Sequence, residues 1–272
     1  MRATRTRRGS MAKPQRGATP SLMSNFLKYS AYYDLLYRDK DYAAEAVYVA
    51  ETLRASATVH SILELGAGTG VHGRLLAGMG FDVRGIERSA EMVAIAKQRP
   101  AAAAGSFTCD IGDICTVELD RTFDAVIALF HVISYQTDNE SLMAAFGVAA
   151  RHLEPGGVFM FDVWHGPAVL TERPSERVKD VADNRRRVRR TARPELDTNA
   201  STVKVVYEME CQDLASGAAE VFGEDHLMRY LFPTEVDLLA RSAGLRVVNS
   251  EEFLTGRVPS ASTWGVSYVL RK

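Results

Sequence analysis

The chain has little cysteine and no strong charge of either sign. Its 272 residues include three cysteines, without a Cys-x-x-Cys pair, and carry a formal net charge of −1. Cysteines this sparse predict neither a zinc knuckle nor a disulfide framework, and they favour a reduced, cytoplasmic setting. The balanced charge gives no global signal for binding nucleic acid or a membrane surface.

Long apolar runs are also missing. The run Val158–Trp164 is interrupted by Asp162 and is far too short to span a bilayer. The first twenty residues contain arginines and a lysine but no acid and almost no apolar side chain, so they lack the apolar segment of a secretory signal. We expect residues 1–24 to form a disordered basic tail, with a basic arm that binds a partner as the alternative.

After the tail, helical segments alternate with short apolar strands. Residues 25–56 predict a helix with aromatic side chains in its first turns. The predicted strands are "HSILELG", "FDVRGIE", "GSFTCDIGD", "FDAVIALFHVI" and "VFMFDVW". The fourth is almost continuously apolar, as expected of a strand buried on both faces. This alternation predicts an α/β fold with a Rossmann-like, mostly parallel sheet over residues 25–170.

The pattern changes in the last third of the chain. From about Arg185 to Phe232, three alternating segments separated by turn signals predict an antiparallel meander. A helix capped by Thr234 and two closing strands then complete the sheet over 233–272. We therefore expect residues 171–232 to be an antiparallel β insertion after the fifth strand, which caps the substrate end of the sheet.

A glycine-rich turn follows the first strand, in the stretch "ELGAGTG". Gly66 and Gly68 would let the backbone approach a ligand closely, and Gly70 would let the next helix start tight against the strand. The free N–H groups at the start of that helix can hold an anion. The second strand ends at Glu87, and an acid about 20 residues beyond such a loop can accept both hydroxyls of a ribose.

The glycine spacing separates the two cofactors that use this geometry. A dinucleotide site needs a third glycine at position 71, where the chain has Val71. The spacing found, preceded by Glu64, favours S-adenosylmethionine (SAM), because Glu64 can face the ammonium group of that cofactor. Asp110, at the end of the third strand, can accept a hydrogen bond from an adenine amino group, with Ile111 against the ring.

These segments resemble the motifs of class I SAM-dependent methyltransferases. "LELGAGTG" looks like their first motif, "GIERSAEM" the second, "CDIGD" and "FDAVIALFHVI" the third and fourth, and "LEPGGVFMFDV" the fifth. "YYDLLYRDKDY" and the β insertion are similar to bacterial nucleotide-linked amino-sugar N,N-dimethyltransferases. The resemblance implies the class I methyltransferase fold. It also implies methyl transfer from SAM to a small polar acceptor, most simply the amino group of a nucleotide-linked sugar.

The resemblance also implies site residues. Those for the cofactor are Tyr33, Glu64, Gly66, Ala67, Gly68, Thr69, His72, Glu87, Arg88, Met92, Asp110, Ile111, Leu129 and Phe130. The candidate catalytic residues are Tyr135, His131 and Asp162. Where the resembling dimethyltransferases carry a histidine after the fourth strand, this chain has Tyr135, so the identity of any base stays open. His131 also fits an ordinary buried histidine, and Asp162 also fits a loop cap.

Two patterns in the insertion concern the substrate. Arg185, Arg187 and Arg189 share one face of a strand, which fits either a solvated surface or a site for the diphosphate of a nucleotide sugar. In "GEDHLMRYLF", every second residue shares the face opposite Arg229, and one of these two faces should cover the substrate site. The residues of that alternating set are Glu224, His226, Met228 and Tyr230.

Several alternatives stay open. An O-methyltransferase acting on a sugar or a natural product fits the same motifs, as does a catalytically inert SAM-binding or partner-binding protein. A hydroxyl acceptor would need a general base, whereas a neutral amine needs mainly in-line positioning. "FHVISY" stands where base-modifying methyltransferases carry an (N/D)PPY-like loop, which disfavours nucleic acid. We expect a small-molecule substrate, no metal, and no nucleic-acid or membrane partner, with a homodimer left open.

Overall fold

A computed structural model describes residues 31–99 and 104–272. The predicted basic tail, residues 1–24, lies outside the described residues. Two sheets organise the rest of the chain, one of seven strands and one of four. Among the described residues, none of the helices has the length and apolarity needed to cross a membrane.

The elements are numbered here in chain order. The helices are α1 Tyr42–Ser56, α2 Val71–Gly78, α3 Ala90–Gln98, α4 Asn139–Arg151, α5 Gly166–Glu172 and α6 Pro233–Ser242. The strands of the large sheet are β1 Ser61–Leu65, β2 Asp82–Glu87, β3 Ser106–Ile111, β4 Phe123–Ala128, β5 Leu153–Trp164, β10 Arg246–Glu252 and β11 Gly265–Arg271. The strands of the small sheet are β6 Arg177–Ala182, β7 Arg186–Asp197, β8 Thr202–Asp213 and β9 Ala219–Arg229.

The large sheet is the predicted Rossmann-like, mostly parallel sheet. Its strand order is β10-β11-β5-β4-β1-β2-β3, and β11 is the one of these seven strands that runs opposite to the others. β1 pairs in parallel with β2 on one side and β4 on the other, so the direction of winding reverses there. In open α/β sheets, ligands bind beside this switch point, at the carboxyl ends of the strands.

The core explains why the middle strands are so apolar. Val126, Ile127 and Ala128 of β4 are fully buried, because helices cover both faces of the sheet. The one polar residue within β4, Asp124, accepts hydrogen bonds from the backbone N–H groups of His60 and Ser61, both at 2.9 Å. That contact ties the start of β4 to the start of β1.

The insertion differs from the prediction in two ways. It has four antiparallel strands rather than three, because β6 (Arg177–Ala182) pairs with β7. The side chains of β6 are mostly exposed, so this segment lacks the alternation of apolar and polar residues by which a strand is predicted. In addition, the short helix α5 (Gly166–Glu172) precedes it.

Two predicted helix boundaries are also corrected. The helix expected over 25–56 is interrupted: residues 31–36 are helical, and α1 begins afresh with Asp41 accepting a hydrogen bond from the Ala44 N–H. Residues 25–30 lie outside the described part. The final helix is capped not by Thr234 but by Phe232, whose N–H donates to the Glu235 carboxylate at 3.4 Å, since Pro233 occupies the first helical position.

The helical residues 31–36, which we call the N-terminal segment, lie against the insertion. Leu35 and Leu36 share a buried cluster with Val188 of β7 and Met209 of β8. From the same segment, Asp34 accepts a hydrogen bond from the Thr69 hydroxyl in the glycine turn, at 2.9 Å. The segment therefore contacts both sheets where they face each other.

Candidate active site

A cavity of about 480 Å³ lies at the carboxyl ends of β1, β2 and β4 and extends to the insertion. Eleven of the fourteen predicted cofactor residues line it: Tyr33, Gly66, Ala67, Gly68, Thr69, His72, Glu87, Arg88, Met92, Leu129 and Phe130. Of the three candidate catalytic residues, Tyr135 and His131 line it and Asp162 does not. No cluster among residues 31–99 and 104–272 could hold a metal ion.

The glycine turn forms one end of the cavity. Gly66, Gly68 and Gly70 all have left-handed backbone, with φ of +73°, +56° and +74°. A Cβ on Gly66 would lie 2.6 Å from Val132 Cγ2, whereas a Cβ on Gly68 would meet no atom within 4 Å. Gly66 therefore allows a close approach within the protein, and Gly68 leaves space for a ligand beside the backbone.

Glu87 stands at the end of β2, directly beside the glycine turn. Its carboxylate accepts hydrogen bonds from the Gly68 N–H at 3.0 Å and the Ser89 N–H at 2.9 Å, one on each oxygen. An ionised carboxylate has about four acceptor positions, so each oxygen can still accept a hydroxyl. The residue thus fits the ribose-binding role predicted from its spacing.

Glu64, which was expected to face the cofactor, is not among the residues that line the cavity. Its side chain turns under the helix that follows the glycine turn, and a Cβ on Gly73 would lie 2.5 Å from Glu64 Oε2. Burial, followed by the charge of Glu87, raises the pKa of Glu64 to about 8. A carboxyl group held neutral at pH 7 is a poor partner for an ammonium group.

Asp110 and Ile111 also lie away from the cavity. Asp110 Oδ2 is 3.2 Å from Arg84 Nε, and the Ile111 side chain is 63% exposed. The loop after β3 turns back toward the glycine turn and brings Asp113 and Ile114 into the cavity wall instead. The same loop therefore contributes to the cavity wall, three residues further along the chain than Asp110 and Ile111.

Aromatic rings close the cavity on the side of the N-terminal segment. The Tyr33 and Tyr37 ring centroids are 4.8 Å apart, and Tyr37 meets Phe130 edge-on at 5.0 Å. Burial raises the pKa of Tyr33 well above its ordinary value, so this phenol is neutral. These rings supply an apolar wall with hydroxyl groups at its edge.

The backbone after β4 is unusual, and it presents His131. Phe130 and His131 both have left-handed backbone, with φ of 63° and 61°. His131 Nδ1 lies 2.8 Å from Asp162 Oδ2, and the His131 backbone N–H donates to the same oxygen at 3.2 Å. Burial raises the pKa of Asp162, but His131 more than offsets this and holds it below its ordinary value. Asp162 therefore contacts the cavity-lining residue His131 and does not line the cavity itself.

Tyr135 lies in a short 3-10 helix, Val132–Tyr135, and faces the insertion. Its hydroxyl is 2.9 Å from His226 Nδ1, and burial raises the pKa of Tyr135 well above its ordinary value. His226 Nε2 in turn lies 3.1 Å from Glu224 Oε1. The alternating face predicted for β9 is confirmed, since Glu224, His226, Met228 and Tyr230 are all buried and His226 and Met228 line the cavity.

The face that carries Arg185, Arg187 and Arg189 is exposed, which confirms the solvated alternative and not the diphosphate site. Arg187 is exposed and its guanidinium pairs with Asp180 at 2.7 Å, while Arg190 lines the cavity. The guanidinium carbon of Arg190 lies 4.6 Å from the centroid of the Tyr207 ring, and an Arg190 N–H donates to the Tyr37 hydroxyl at 3.0 Å. The sequence held a signal for this arrangement: Val188, the apolar residue of the run, shares its face with Arg190.

The other cavity residues belong to no recognised motif, although alternation with Val188 gave a signal for Arg190. They are Tyr42, Val71, Asp113, Ile114, Val132, Gln136, Trp164, Arg177, Arg190 and Tyr207. Most come from the insertion or from loops, where position depends on strand pairing rather than on a local pattern.

Known proteins match this chain over both sheets. A family model described as "Methyltransferase domain" matches residues 62–157. The dTDP-3-amino-3,4,6-trideoxy-alpha-D-glucopyranose N,N-dimethyltransferase of Streptomyces venezuelae is 33% identical over 228 residues, 83% of this chain and 93% of that protein. The dTDP-3-amino-3,6-dideoxy-alpha-D-glucopyranose N,N-dimethyltransferase of Streptomyces fradiae is 36% identical over 142 residues, 51% of this chain and 54% of that protein.

Solved structures agree with these matches. Streptomyces venezuelae DesVI superimposes with a TM-score of 0.74 at 28% identity, covering 88% of this chain and 97% of that one. SAM-bound CalS10, an amino pentose methyltransferase from Micromonospora echinaspora, gives a TM-score of 0.70 at 25% identity, covering 95% and 99%. The predicted class I methyltransferase fold is confirmed.

Proposed function

Since this chain belongs to the class I SAM-dependent methyltransferases, we propose that it methylates the amino group of a nucleotide-linked sugar. The observation that carries the proposal is the 33% identity to a nucleotide-amino-sugar dimethyltransferase over 93% of that relative's length. At 83% of this chain, that span reaches the insertion as well as the sheet, which supports a shared acceptor class.

The cofactor end of the cavity fits SAM. Beside the open space at Gly68, the Glu87 carboxylate would accept the ribose hydroxyls, and Asp113 with Ile114 would contact the adenine in the place first assigned to Asp110 and Ile111. When bound, SAM supplies a methyl group on a positively charged sulfur whose leaving group is neutral. No residue of the chain is therefore needed as an acid toward the leaving group.

The acceptor end suits an amine. Aromatic faces from Tyr37, Phe130 and Tyr207 surround it, and such faces stabilise a nearby cation. An amine that gains a methyl group becomes cationic, so this wall stabilises the product-side charge. We propose that the chain's main contribution is to hold the nitrogen in line and dry.

The insertion is proposed to act as the substrate cap. Residues 25–170 and 233–272 would form the SAM-binding core, and residues 171–232 would hold the nucleotide sugar against it. Arg190 and Arg177 line the cavity from this side, and guanidinium groups suit a diphosphate.

The test is a product assay by mass spectrometry. The full-length protein, with SAM, is offered dTDP-3-amino-3,4,6-trideoxy-α-D-glucopyranose, with dTDP-glucose as the control that presents hydroxyls only. We expect one or two methyl groups on the amino sugar and none on dTDP-glucose. Methylation of dTDP-glucose would instead establish O-methyl transfer, for which the His131–Asp162 pair offers a base. If the protein binds SAM but methylates no member of a wider panel of amino sugars, the alternative of a catalytically inert SAM-binding protein is supported.

A further inference from the structure

A buried carboxylate on the insertion has no role in the function proposed so far. Glu224, on β9, is 4% exposed, and neither of its carboxylate oxygens has a hydrogen-bond partner among the described residues. Within residues 31–99 and 104–272, one side chain makes an ion-pair contact with Glu224. It is His226, whose Nε2 lies 3.1 Å from Glu224 Oε1. Burying a carboxylate that accepts no hydrogen bond is costly, so a nearby positive charge is needed to compensate for it.

His226 connects this carboxylate to the cavity. It lies two residues further along the same strand, on the same face, and is also 4% exposed. Its Nδ1 is 2.9 Å from the Tyr135 hydroxyl, and its ring lies 4.8 Å from the Tyr207 ring. Glu224, His226 and Tyr135 thus form a continuous line from the interior of the insertion to the cavity wall.

We propose that this line is a proton relay in which Tyr135 and His226 take a proton from the acceptor ammonium and Glu224 positions His226. The inference rests on the proposed amine acceptor. Tyr135 and His226 both line the cavity and can touch the substrate, whereas Glu224 acts through His226 and is a positioning residue. In this arrangement His226 carries its proton on Nε2, toward Glu224, and presents Nδ1 as the acceptor.

The proton count balances without any further reactant. The acceptor enters as R–NH3+, and one N–H proton passes to the Tyr135 oxygen as the Tyr135 hydroxyl proton passes to His226 Nδ1. The products are neutral R–NH2, an unchanged phenol and an imidazolium whose Nε2 lies within ion-pair distance, 3.1 Å, of Glu224 Oε1. The nitrogen lone pair is then free for methyl transfer, and no tyrosinate forms.

The relay avoids a phenolate, which this site disfavours. Burial raises the pKa of Tyr135 well above its ordinary value, so loss of its proton without simultaneous gain of another is unfavourable. Other titratable groups face the cluster from each neighbouring element: Tyr207 on β8, Arg190 on β7, Tyr37 after the N-terminal segment and Arg88 after β2. Among these groups around Tyr135, Glu224 is the one that carries a carboxylate. We therefore assign to Glu224 the negative charge that stabilises the His226 imidazolium.

The test compares Glu224→Gln with Asp225→Asn in the full-length protein. Asp225 is the next residue, on the opposite exposed face of β9, where it pairs with Lys204, so its variant removes the same charge without touching the cavity. The acceptor is the amino sugar of the panel that turns over fastest. We expect Glu224→Gln to lower kcat about tenfold and His226→Gln about 100-fold, within the range of proton-transfer catalysis, with SAM affinity unchanged within about twofold.

The pH profile separates a relay from a structural role. In Glu224→Gln the acid limb of kcat should move to lower pH, because the imidazolium loses its counter-charge. Asp225→Asn should keep the wild-type profile. A wild-type kcat and profile for Glu224→Gln would overturn the inference, and so would equal losses of kcat, SAM affinity and thermal stability, which would indicate a role in folding alone.

A second measurement does not depend on activity. Nitrogen-15 NMR of the six histidines, with His226 assigned by its loss in His226→Gln, reports which ring nitrogen carries the proton. We expect the Nε2–H form in the wild type and a mixture of forms in Glu224→Gln; an Nδ1–H form in the wild type would overturn the relay. If the wild type methylates no amine at all, the proposed function fails, whereas failure of these variants with an active wild type removes the relay alone.

Discussion

The glycine turn and the insertion sheet line the same cavity but contribute different groups to it. The turn offers backbone, with three left-handed glycines and one acid that accepts two N–H groups. The insertion offers side chains, such as Arg190, Tyr207 and His226, from three different strands. Backbone recognition depends on local conformation within a few residues, whereas the side-chain wall depends on strand register over long distances. The two ends should therefore respond differently to substitution.

The largest effect is expected at Gly66. Gly66→Ala places a Cβ 2.6 Å from Val132 on a backbone with φ of +73°. Strain and overpacking of this kind cost about 1–3 kcal/mol each, so SAM affinity should fall on the order of 1000-fold. Calorimetry measures it. The control is Gly223→Ala in β9, whose Cβ would approach an atom no closer than 3.6 Å and should change SAM affinity little. Equal losses of SAM affinity in both variants would contradict the proposed difference between the glycine turn and the insertion.

Glu64 gives the next largest effect, on stability rather than binding. Its pKa is raised from 4.5 to about 8 in the folded protein by burial and then by Glu87. Because the folded pKa is the higher one, the stabilising contribution is fully present below the unfolded value and is lost as the pH rises through the folded one. Without SAM, the free energy of unfolding should fall by a few kcal/mol from about pH 5 to about pH 9.

Chemical denaturation across this pH range measures the slope, and Glu64→Gln should flatten it. The control is Glu91→Gln, an exposed glutamate in the first turn of α3, which should keep the wild-type slope. A slope unchanged by Glu64→Gln would mean that this carboxyl does not titrate with folding.

Glu87 sharpens the comparison at the cofactor end. Glu87→Ala removes a charged acceptor proposed to bind two ribose hydroxyls, and each such hydrogen bond contributes about 1.5 kcal/mol or more. We expect SAM to bind about 100-fold more weakly by calorimetry, with the KM for the amino sugar changed little. Undiminished SAM affinity would contradict the placement of the cofactor, and Glu91→Gln again serves as the matched control.

Arg190 gives the smallest expected effect, and it tests the other end. Arg190→Lys keeps the charge but loses the planar fork and its stacking on Tyr207, so the KM for the nucleotide sugar should rise about tenfold while SAM affinity stays the same. Arg187→Lys, which alters only an exposed pair with Asp180, should change neither constant. A larger rise in KM for Arg187→Lys than for Arg190→Lys would indicate that the diphosphate binds on the outer face of β7.

The cofactor end could be predicted from the sequence because its determinants are local. The strand, the glycine turn and the following helix largely determine the backbone conformation at Gly66 and Gly68 and the position of Glu87 beside them. Glu64 and Asp110 do not line the cavity for a shared reason: the position of each in a motif was known, but the face to which its side chain turns is set by tertiary neighbours. Gly73 makes room for Glu64, and Arg84 holds Asp110.

The acceptor end could be predicted only in part. Alternation identified the inner face of β9, including Glu224 and His226, but it could not say which face of β7 meets that surface. One residue of register reverses the answer, as Arg187 and Arg190 show. Tyr135 and His226 are separated by 91 positions in the chain, so their contact at 2.9 Å has no local signature.

The consecutive left-handed residues Phe130 and His131 have a practical consequence for changing the enzyme's choice of acceptor. Two non-glycine residues in that conformation are held by their surroundings, and most replacements would relax the loop and misalign everything it carries. A directed-evolution library is therefore better concentrated on the inward-facing positions of β7, β8 and β9. There, new side chains can reshape the pocket while the peptide chain beneath them keeps its course.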